Sequence, residues 1–380
     1  KLQTHLPKPS EMSLSAQSRF LSSASTPQFR KILVVIKQTA YEEYSQLRLR
    51  GKAPKALRWQ RLENRYKSHK ACVNDLLGIL RHHNIEFQCV NRVELDRQHL
   101  ANVDLVVAVG GDGTVLSSAH FLDNGTIPLL GVNSDPIQES DRDTKKNTDE
   151  RRSHGALCMC TADDMADRLA KVLYGEGKIQ ERNRIQCVVK STFSETRLVP
   201  ALNDMLIANP SPAAVSRFRM GFLEPIDLSD KLGLMDGKYY GSSLEERETM
   251  AYKKYGTVTR FGGRPYDVRD SLNVWSSGLW LSTATGATAA MAAAGGQPMD
   301  LHSKDIQYLI REHIHEHGTE VTKDVDNGFV RKGEQLHFRW NSQSGNIFID
   351  GSHLTHPLQL GDEIVINSDA PPLQLFVHDA

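Results

Sequence analysis

Asp104-Leu-Val-Val-Ala-Val-Gly-Gly-Asp-Gly-Thr114 is a continuously apolar run that passes directly into a glycine-rich turn. A short apolar run rich in β-branched residues predicts a strand that is buried on both faces, as in a parallel sheet. The residues after the turn, Leu116–Phe121, are predicted to be helical. A strand, a glycine turn and a helix in this order indicate an α/β fold.

Similar elements surround this stretch. Upstream, Lys31–Ile36 and Ile85–Val90 are two further predicted strands, and 57–82 between them shows apolar residues at helical spacing. Downstream, Ile127–Gly131 continues the sheet, and Ala162–Leu173 is predicted to be a helix. Together these elements predict an N-terminal α/β domain.

The sequence pattern changes after Gly177, where short strand-like runs follow one another with few helices between them. Such a pattern predicts an antiparallel, β-rich C-terminal domain. We expect a disordered or targeting tail at 1–30, an α/β domain at 31–190, and a β-rich domain at 191–366 with a surface insertion at 223–272. The last segment, 367–380, is expected to be a strand that returns to the first domain.

The turn Gly110–Thr114 has the residue types of a phosphate-binding loop. Glycines allow a tight turn, and the amides of Gly113 and Thr114 can point at an anion beside a helix N-terminus. Asp112 would repel a phosphate, so its carboxylate is better suited to a sugar hydroxyl. The turn is neither a P-loop nor a GxGxxG fingerprint. A plain strand-to-helix turn with an aspartate cap is the structural alternative.

Three further stretches have the composition of a nucleoside site. Ser282–Ala290 combines hydroxyls with small side chains that leave room for a ligand, and helical structure is predicted from Gly286 onward. Asn203-Asp204 can offer an amide and a carboxylate to a base and a sugar. The pair Asp350-Gly351 is by itself only a hairpin turn.

In this order, the four motifs resemble the NAD kinase family, and most closely the plant NADH kinases. That family has a GGDGT loop, an asparagine–acid pair, a segment similar to STPTGSTAY and a late FDG turn. Runs shared with the plant enzymes include Leu130–Pro136, Ala213–Phe218 and Ser368–Pro371. The resemblance implies a two-domain architecture like that of the NAD and diacylglycerol kinases.

The resemblance also implies roles for individual residues. Asp112 would contact the ribose as the proposed general base, with no protein metal ligand. The nucleotide- and substrate-binding positions would be Gly111, Gly113, Thr114, Asn133, Asn203, Asp204, Thr285, Thr288 and Ala289.

By this resemblance the reaction is phosphorylation of the adenosine 2′-hydroxyl of NADH or NAD by ATP, with Mg²⁺ carried by the nucleotide. A homodimer is expected. Two alternatives stay open at this point. A diacylglycerol or sphingosine kinase shares GGDGT and a β-rich domain, and a non-catalytic protein could sense NAD(H) without turnover.

Composition limits the remaining possibilities. Lys plus Arg equals Asp plus Glu, at 46 each, so charge favours neither nucleic acid nor a membrane as partner. The five cysteines have no disulfide or zinc spacing and are expected to be free core thiols. We expect an intracellular protein, in the cytoplasm or an organelle. The Ser-rich, basic N-terminus hints at a plastid or mitochondrion. A peroxisome is possible by resemblance, although no C-terminal signal is seen.

Overall fold

The computed structural model describes residues 26–136, 154–226, 258–315 and 326–378. In chain order, the strands within these ranges are β1 (Lys31–Ile36), β2 (Glu86–Asn91), β3 (Leu105–Gly110), β4 (Leu129–Asn133), β5 (Cys160–Thr161), β6 (Lys178–Arg182), β7 (Gln186–Lys190), β8 (Glu195–Arg197), β9 (Asp204–Ala208), β10 (Ser216–Pro225), β11 (Val258–Phe261), β12 (Arg264–Ser276), β13 (Gly278–Ser282), β14 (Ile306–Arg311), β15 (Asn327–Val330), β16 (Leu336–Trp340), β17 (Ser344–Ile349), β18 (Thr355–Gln359), β19 (Glu363–Asn367) and β20 (Leu373–Val377).

The helices in the same ranges are α1 (Ala40–Leu49), α2 (Trp59–His82), α3 (Asp112–Ala119), α4 (Met165–Leu173) and α5 (Ala290–Ala293). Short 3₁₀ turns occupy Arg92–Glu94, Arg97–Leu100 and Gly286–Thr288. In the described part of the chain, none of the helices has the length and apolar character that crossing a bilayer requires.

The first sheet has the order β2-β1-β3-β4-β20-β6, with β5 beside β4. Strands β1 to β4 run parallel, and β20 pairs parallel with β4 and antiparallel with β6. Successive side chains of a strand point to opposite faces. Val34 and Val107 therefore pack with α2 and α4 on one face, whereas Leu33 and Val106 pack with α3 on the other. The predicted N-terminal α/β domain is thus confirmed.

The second half consists of two antiparallel sheets, β11-β12-β10-β16-β19-β7-β8 and β15-β14-β13-β9-β17-β18. Their apolar residues form one continuous core, in which Trp340 is fully buried and stacks on Phe218. This arrangement confirms the predicted β-rich C-terminal fold. The 3₁₀ turn 286–288 and α5 lie in the connection between β13 and β14.

Two helix predictions need correction. The helix expected from Gly286 is a 3₁₀ turn followed by the single helical turn of α5, because the close approach of Gly286 to the Asn203 backbone interrupts the helix. Conversely, α1 was not predicted, since none of its residues is buried. A reciprocal capping box starts α1: Glu42 N–H donates to the Thr39 hydroxyl, and Thr39 N–H donates to the Glu42 carboxylate.

The expected tail and insertion also differ in extent from the structure. Phe29 falls within the range 1–30, yet it is only 7% exposed and meets Phe376 edge to face in the core of the first domain. Of the expected insertion, 227–257 lies outside the described residues, as do 1–25 of the tail. The described remainder of the insertion belongs to β10, β11 and β12, because those residues pair as sheet.

All five cysteines are free. Cys89 is exposed, contrary to the expectation of core thiols, because β2 is the edge strand of the first sheet.

Candidate active site

The glycine turn between β3 and α3 is closely packed against the side chains of Thr114 and Lys37. A Cβ at Gly110 would lie 2.2 Å from the Thr114 hydroxyl oxygen, so only glycine fits. Thr114 is 1% exposed, and its N–H donates to the Gly111 carbonyl at 2.8 Å. Its amide therefore bonds within the turn, whereas it was expected to point at an anion. Its hydroxyl is buried and has no hydrogen-bond partner among the described residues. The exposed backbone of this turn is at Gly113.

Asp112, the first residue of α3, is held by the loop that follows residue 153. Its carboxylate accepts from Leu157 N–H at 2.9 Å and from Gly155 N–H at 3.1 Å. Asn133 ends β4 with 2% exposure, and its Nδ2 lies 2.6 Å from where a Cβ of Gly155 would stand. The structure thus brings Asp112 and Asn133 to the same corner.

Asn203 and Asp204 lie at the start of β9, under the turn that follows β13. Thr283 N–H donates to the Asn203 carbonyl at 2.9 Å, and the Thr283 hydroxyl donates to the Leu202 carbonyl at 2.6 Å. A Cβ at Gly286 would lie 2.2 Å from the Asn203 carbonyl oxygen. Gly286 is therefore the residue that allows the two segments to touch.

We call Asn203, Asp204 and the turn after β13 the nucleoside corner. Its side chains divide into buried and accessible groups. The Asn203 Oδ1 is buried and has no hydrogen-bond partner among the described residues, which is unusual for a polar atom. Thr285 is half-buried, whereas Thr288 and Ala289 are exposed. The hydroxyls of Ser282 and Thr283 were also expected to face a ligand. They are instead fully buried and donate to backbone carbonyls.

Asp350 organises this corner from the hairpin between β17 and β18. It has a φ of 49° and is 7% exposed. Its carboxylate accepts from the N–H groups of Leu202 at 2.8 Å, Asn203 at 2.7 Å and Asp204 at 3.0 Å. The same carboxylate lies 2.8 Å from Nε2 of His120. Asp350 therefore fixes the backbone that carries the asparagine–acid pair.

A second carboxylate lies beside this cluster. Burial, reinforced by the negative charge of Asp350, raises the pKa of Asp204 to about 7. Asp204 therefore exchanges a proton near neutral pH, where a small change in its surroundings changes its charge.

Helix α3 connects the two corners. Asp112 begins the helix, and His120 follows its last residue and bonds to Asp350. At 1.5 Å per residue the corners are separated by about 12 Å along its axis. Arg184, which is fully buried, donates to the carbonyls of Leu122 and Pro371 and so ties the end of α3 to the junction of the two domains.

Sequence reasoning did not identify His120 or Arg184 as parts of this arrangement. It regarded Asp350 as a turn residue when taken alone. Asp-Gly between two strands gave no sign that the aspartate side chain would be buried. Only the order of the four motifs pointed to it.

A GGDGT turn on an α/β sheet, joined to a β-rich domain, defines a class of kinases that includes the NAD, diacylglycerol and sphingosine kinases. The comparisons distinguish among them. The family model for the ATP-NAD kinase N-terminal domain matches residues 25–135. A "Probable NADH kinase" of Oryza sativa subsp. japonica is 34% identical over 330 residues, which cover 87% of each chain. The NADH kinase of Arabidopsis thaliana is 35% identical over 353 residues, or 92% of this chain and 96% of that one.

Two solved structures share the fold. An NAD kinase from Archaeoglobus fulgidus in complex with ATP has a TM-score of 0.53 at 15% identity, with 91% and 93% of the two chains covered. Yeast NADH kinase complexed with NADH has a TM-score of 0.53 at 14% identity, with 92% of this chain and 84% of that chain covered. The chain belongs to the NAD kinase family. None of the relatives reported above is a lipid kinase, so that alternative has no support.

Proposed function

We propose that this protein transfers the γ-phosphoryl group of MgATP to the adenosine 2′-hydroxyl of NADH or NAD, giving NADPH or NADP and ADP. The observation that carries the proposal is that helix α3 connects Asp112 to the residues around Asn203. Asp112 begins α3, and His120 at its other end bonds to Asp350, which fixes the backbone of Asn203 and Asp204.

Asp112 is the group that acts on the sugar hydroxyl. Backbone N–H groups of Gly155 and Leu157 donate to its carboxylate and fix its orientation. A fixed carboxylate at the helix start can accept a hydrogen bond from the ribose 2′-hydroxyl and then its proton, as the oxygen attacks phosphorus. A positioned base of this kind contributes about 10²–10⁴-fold to rate.

The nucleoside would lie against Asn203 and the turn after β13. The unpartnered Oδ1 of Asn203 is an acceptor suited to the exocyclic amine of adenine. The exposed Thr288 and Ala289 continue the wall of this corner with small side chains. Small side chains leave space for a base, and a hydrogen bond to Asn203 would fix the orientation of that base.

The phosphoryl donor would be MgATP, because the negative charge on the transferring phosphoryl group must be neutralised and the nucleotide-bound Mg²⁺ would supply the positive charge. The exposed backbone of Gly113, at the start of α3, is the protein's anion-facing part of the turn. Catalysis in this arrangement comes from positioning, with base assistance from Asp112.

A product assay tests the proposal. The purified full chain is incubated with MgATP and, in parallel, with NAD, NADH, sphingosine or diacylglycerol, and phosphorylated products are identified by mass spectrometry. We expect NADPH or NADP and no phosphorylated lipid. Phosphorylation of a lipid, or binding of NAD(H) without turnover by folded protein, would contradict the proposal.

We also propose that the protein is a homodimer, which rests on the family resemblance. Sedimentation equilibrium at several protein concentrations tests this, and a mass of one chain at all of them would contradict it.

A further inference from the structure

A cluster of metal-ligating side chains lies outside the site described above, just after β14. One ring nitrogen of His313, one of His315 and one carboxylate oxygen of Asp326 all lie within 4.8 Å of one another. Nδ1 of His313 is 2.6 Å from Asp326 Oδ1, and Nε2 of His315 is 3.2 Å from Asp326 Oδ2. Asp326 lies thirteen residues after His313 in the chain, so only the folded structure brings the three side chains together.

The backbone holds these residues in place. Ile314 N–H donates to the Trp275 carbonyl at 2.8 Å, which keeps the segment beside β12. The rings of His313 and His315 have their centroids 4.3 Å apart, so both imidazoles can meet the same partner. Ile310 N–H donates to the Asp326 carbonyl at 2.7 Å, which fixes Asp326 immediately before β15.

A conformational feature marks the same place. Glu312 has a φ of 42°, a left-handed conformation that is uncommon for a residue other than glycine. It lies between the last residue of β14 and His313. Left-handed non-glycine residues cost free energy and tend to be found where a side chain must be presented in a particular direction.

Burial of the three side chains fits a ligand site open on one side. The His313 side chain is 5% exposed, that of Asp326 is 25% exposed and that of His315 is 37% exposed. Asp326 also lines a cavity of about 570 Å³, together with Trp280 and Ala290. A bound cation would therefore have three protein ligands and remaining positions that water can reach.

The donor set selects the class of metal. Imidazole nitrogens suit Zn²⁺, Cu²⁺, Fe²⁺ and Ni²⁺, whereas Mg²⁺ and Ca²⁺ prefer oxygen ligands. Two histidines and one carboxylate form a donor set found in zinc sites with an open position. With metal–ligand distances of about 2.0–2.2 Å, tetrahedral ligands stand roughly 3.4 Å apart. The nitrogen–oxygen distances of 2.6 and 3.2 Å therefore need to change by less than about 1 Å, and all three ligand atoms already lie within 4.8 Å of one another. The cluster is thus chemically distinct from the Mg²⁺ that the nucleotide carries.

We propose that His313, His315 and Asp326 form a binding site for one divalent transition-metal ion of the Zn²⁺ class. The main competing interpretation is a carboxylate that only accepts hydrogen bonds from two imidazoles. The two differ in a measurable way, because only a metal site predicts saturable binding of one Zn²⁺ per chain that depends on these three side chains.

The test uses the tag-free full chain after EDTA treatment and dialysis. Titration with Zn²⁺ is followed by calorimetry, and Co²⁺ is added separately to observe visible ligand-field absorption. We expect one Zn²⁺ per chain, a Co²⁺ absorption band that Zn²⁺ abolishes, and no saturable binding of Mg²⁺ by the nucleotide-free protein. The measurement is of metal alone, so its outcome does not depend on the proposed kinase activity.

Variants locate the site. Asp326→Asn keeps the shape of the side chain and should weaken Zn²⁺ binding about 10-fold or more, by analogy with the loss caused by removing residues that support metal ligands. His315→Gln changes the most exposed ligand and should have a similar effect even if Asp326→Asn is poorly folded. The matched control is the doubly substituted His82→Gln, His83→Gln protein, whose neighbouring imidazoles belong to no metal-ligating group among the described residues.

Circular dichroism and thermal midpoints in EDTA establish that the variants are folded. The control protein should bind Zn²⁺ as the wild type does. If the wild type shows no one-to-one binding, or if folded Asp326→Asn and His315→Gln bind as the wild type does, the cluster is a hydrogen-bonded triad and the proposal is wrong.

Discussion

Replacing Asp350 by asparagine tests whether the hairpin between β17 and β18 positions the nucleoside corner. The side chain keeps its shape but exchanges one acceptor oxygen for a donor NH₂ group. Oδ1 accepts from the N–H groups of Asn203 and Asp204, whereas Oδ2 accepts from Leu202 N–H and bonds to His120. The less damaging orientation keeps Oδ1 as oxygen and directs the NH₂ group at His120.

That orientation leaves one buried donor, Leu202 N–H, facing another donor. An unsatisfied buried hydrogen-bonding group costs about 1–3 kcal/mol. If half of this cost appears as displacement of Asn203, the loss is about 0.5–1.5 kcal/mol, which corresponds to a roughly two- to tenfold weaker affinity. We therefore expect Asp350→Asn to raise the KM for NAD(H) by about two- to tenfold and to lower the thermal midpoint by a few degrees. The KM for ATP should change less, because the turn at Asp112 keeps its own contacts.

The matched control is Asp362→Asn. Asp362 is a buried turn aspartate of the same domain, 6% exposed, whose carboxylate accepts from Gln359 N–H at 2.8 Å. It should lower the thermal midpoint to a similar degree and leave the KM for NAD(H) unchanged. Steady-state kinetics and calorimetry on both variants separate the two effects. If Asp350→Asn lowers only the thermal midpoint, as the control does, Asp350 stabilises the fold and does not position the substrate.

Four other perturbations have definite expected outcomes. Asp112→Asn should lower kcat by about 10²–10⁴-fold with a much smaller change in KM, because the amide cannot accept the hydroxyl proton; activity above half of wild type would show that the residue is structural. For Asp204, burial and a neighbouring carboxylate raise the pKa from 3.8 to about 7. Between these two pKa values the folded protein keeps this carboxyl protonated, whereas the unfolded chain has lost the proton, so the stability that the proton contributes is lost as pH rises towards 7. Urea unfolding at pH 4 and pH 8 should therefore show a fall in the free energy of unfolding of at most about 4 kcal/mol, and Asp204→Asn should abolish that fall. Gly286→Ala places a Cβ 2.2 Å from a backbone oxygen and should lower both stability and NAD(H) affinity, whereas Ala289→Leu, at an exposed position, should raise only the KM for NAD(H); an unchanged KM in both would remove this turn from the substrate site. Phe29→Ala should destabilise the protein by about 3–5 kcal/mol without altering KM, and an unchanged thermal midpoint would show that the ring contributes nothing to the core.

The sequence alone was sufficient for the elements whose signal is local. β3 and the glycine turn after it were predictable because a continuous apolar run marks a buried strand and glycines permit the tight turn that follows it. α2 was predictable from its apolar spacing. The identities of Asp112 and Asn203 as candidate site residues came from their motifs and from the family resemblance.

Helix α1 and the short α5 show where local signals fail. α1 buries none of its residues, so it leaves no apolar stripe to detect, and its capping box is its main mark in the sequence. The alanine-rich run around α5 has a high helix propensity, yet the close approach of Gly286 to Asn203 interrupts it after a 3₁₀ turn. Tertiary contact overrides helix propensity at Gly286, whereas α1 forms without burying any residue.

The arrangement that makes the site one unit was decided by tertiary structure alone. His120 and Asp350 are separated by 230 positions in the chain, and Asp326 is separated from His313 by thirteen. A hydrogen bond or a ligand set of this kind depends on how separate strands and loops pack, and no periodicity in the sequence encodes that distance. The sequence therefore determined which residues can do chemistry, whereas packing determined that Asp350 holds the nucleoside corner to α3 and that two histidines share one carboxylate.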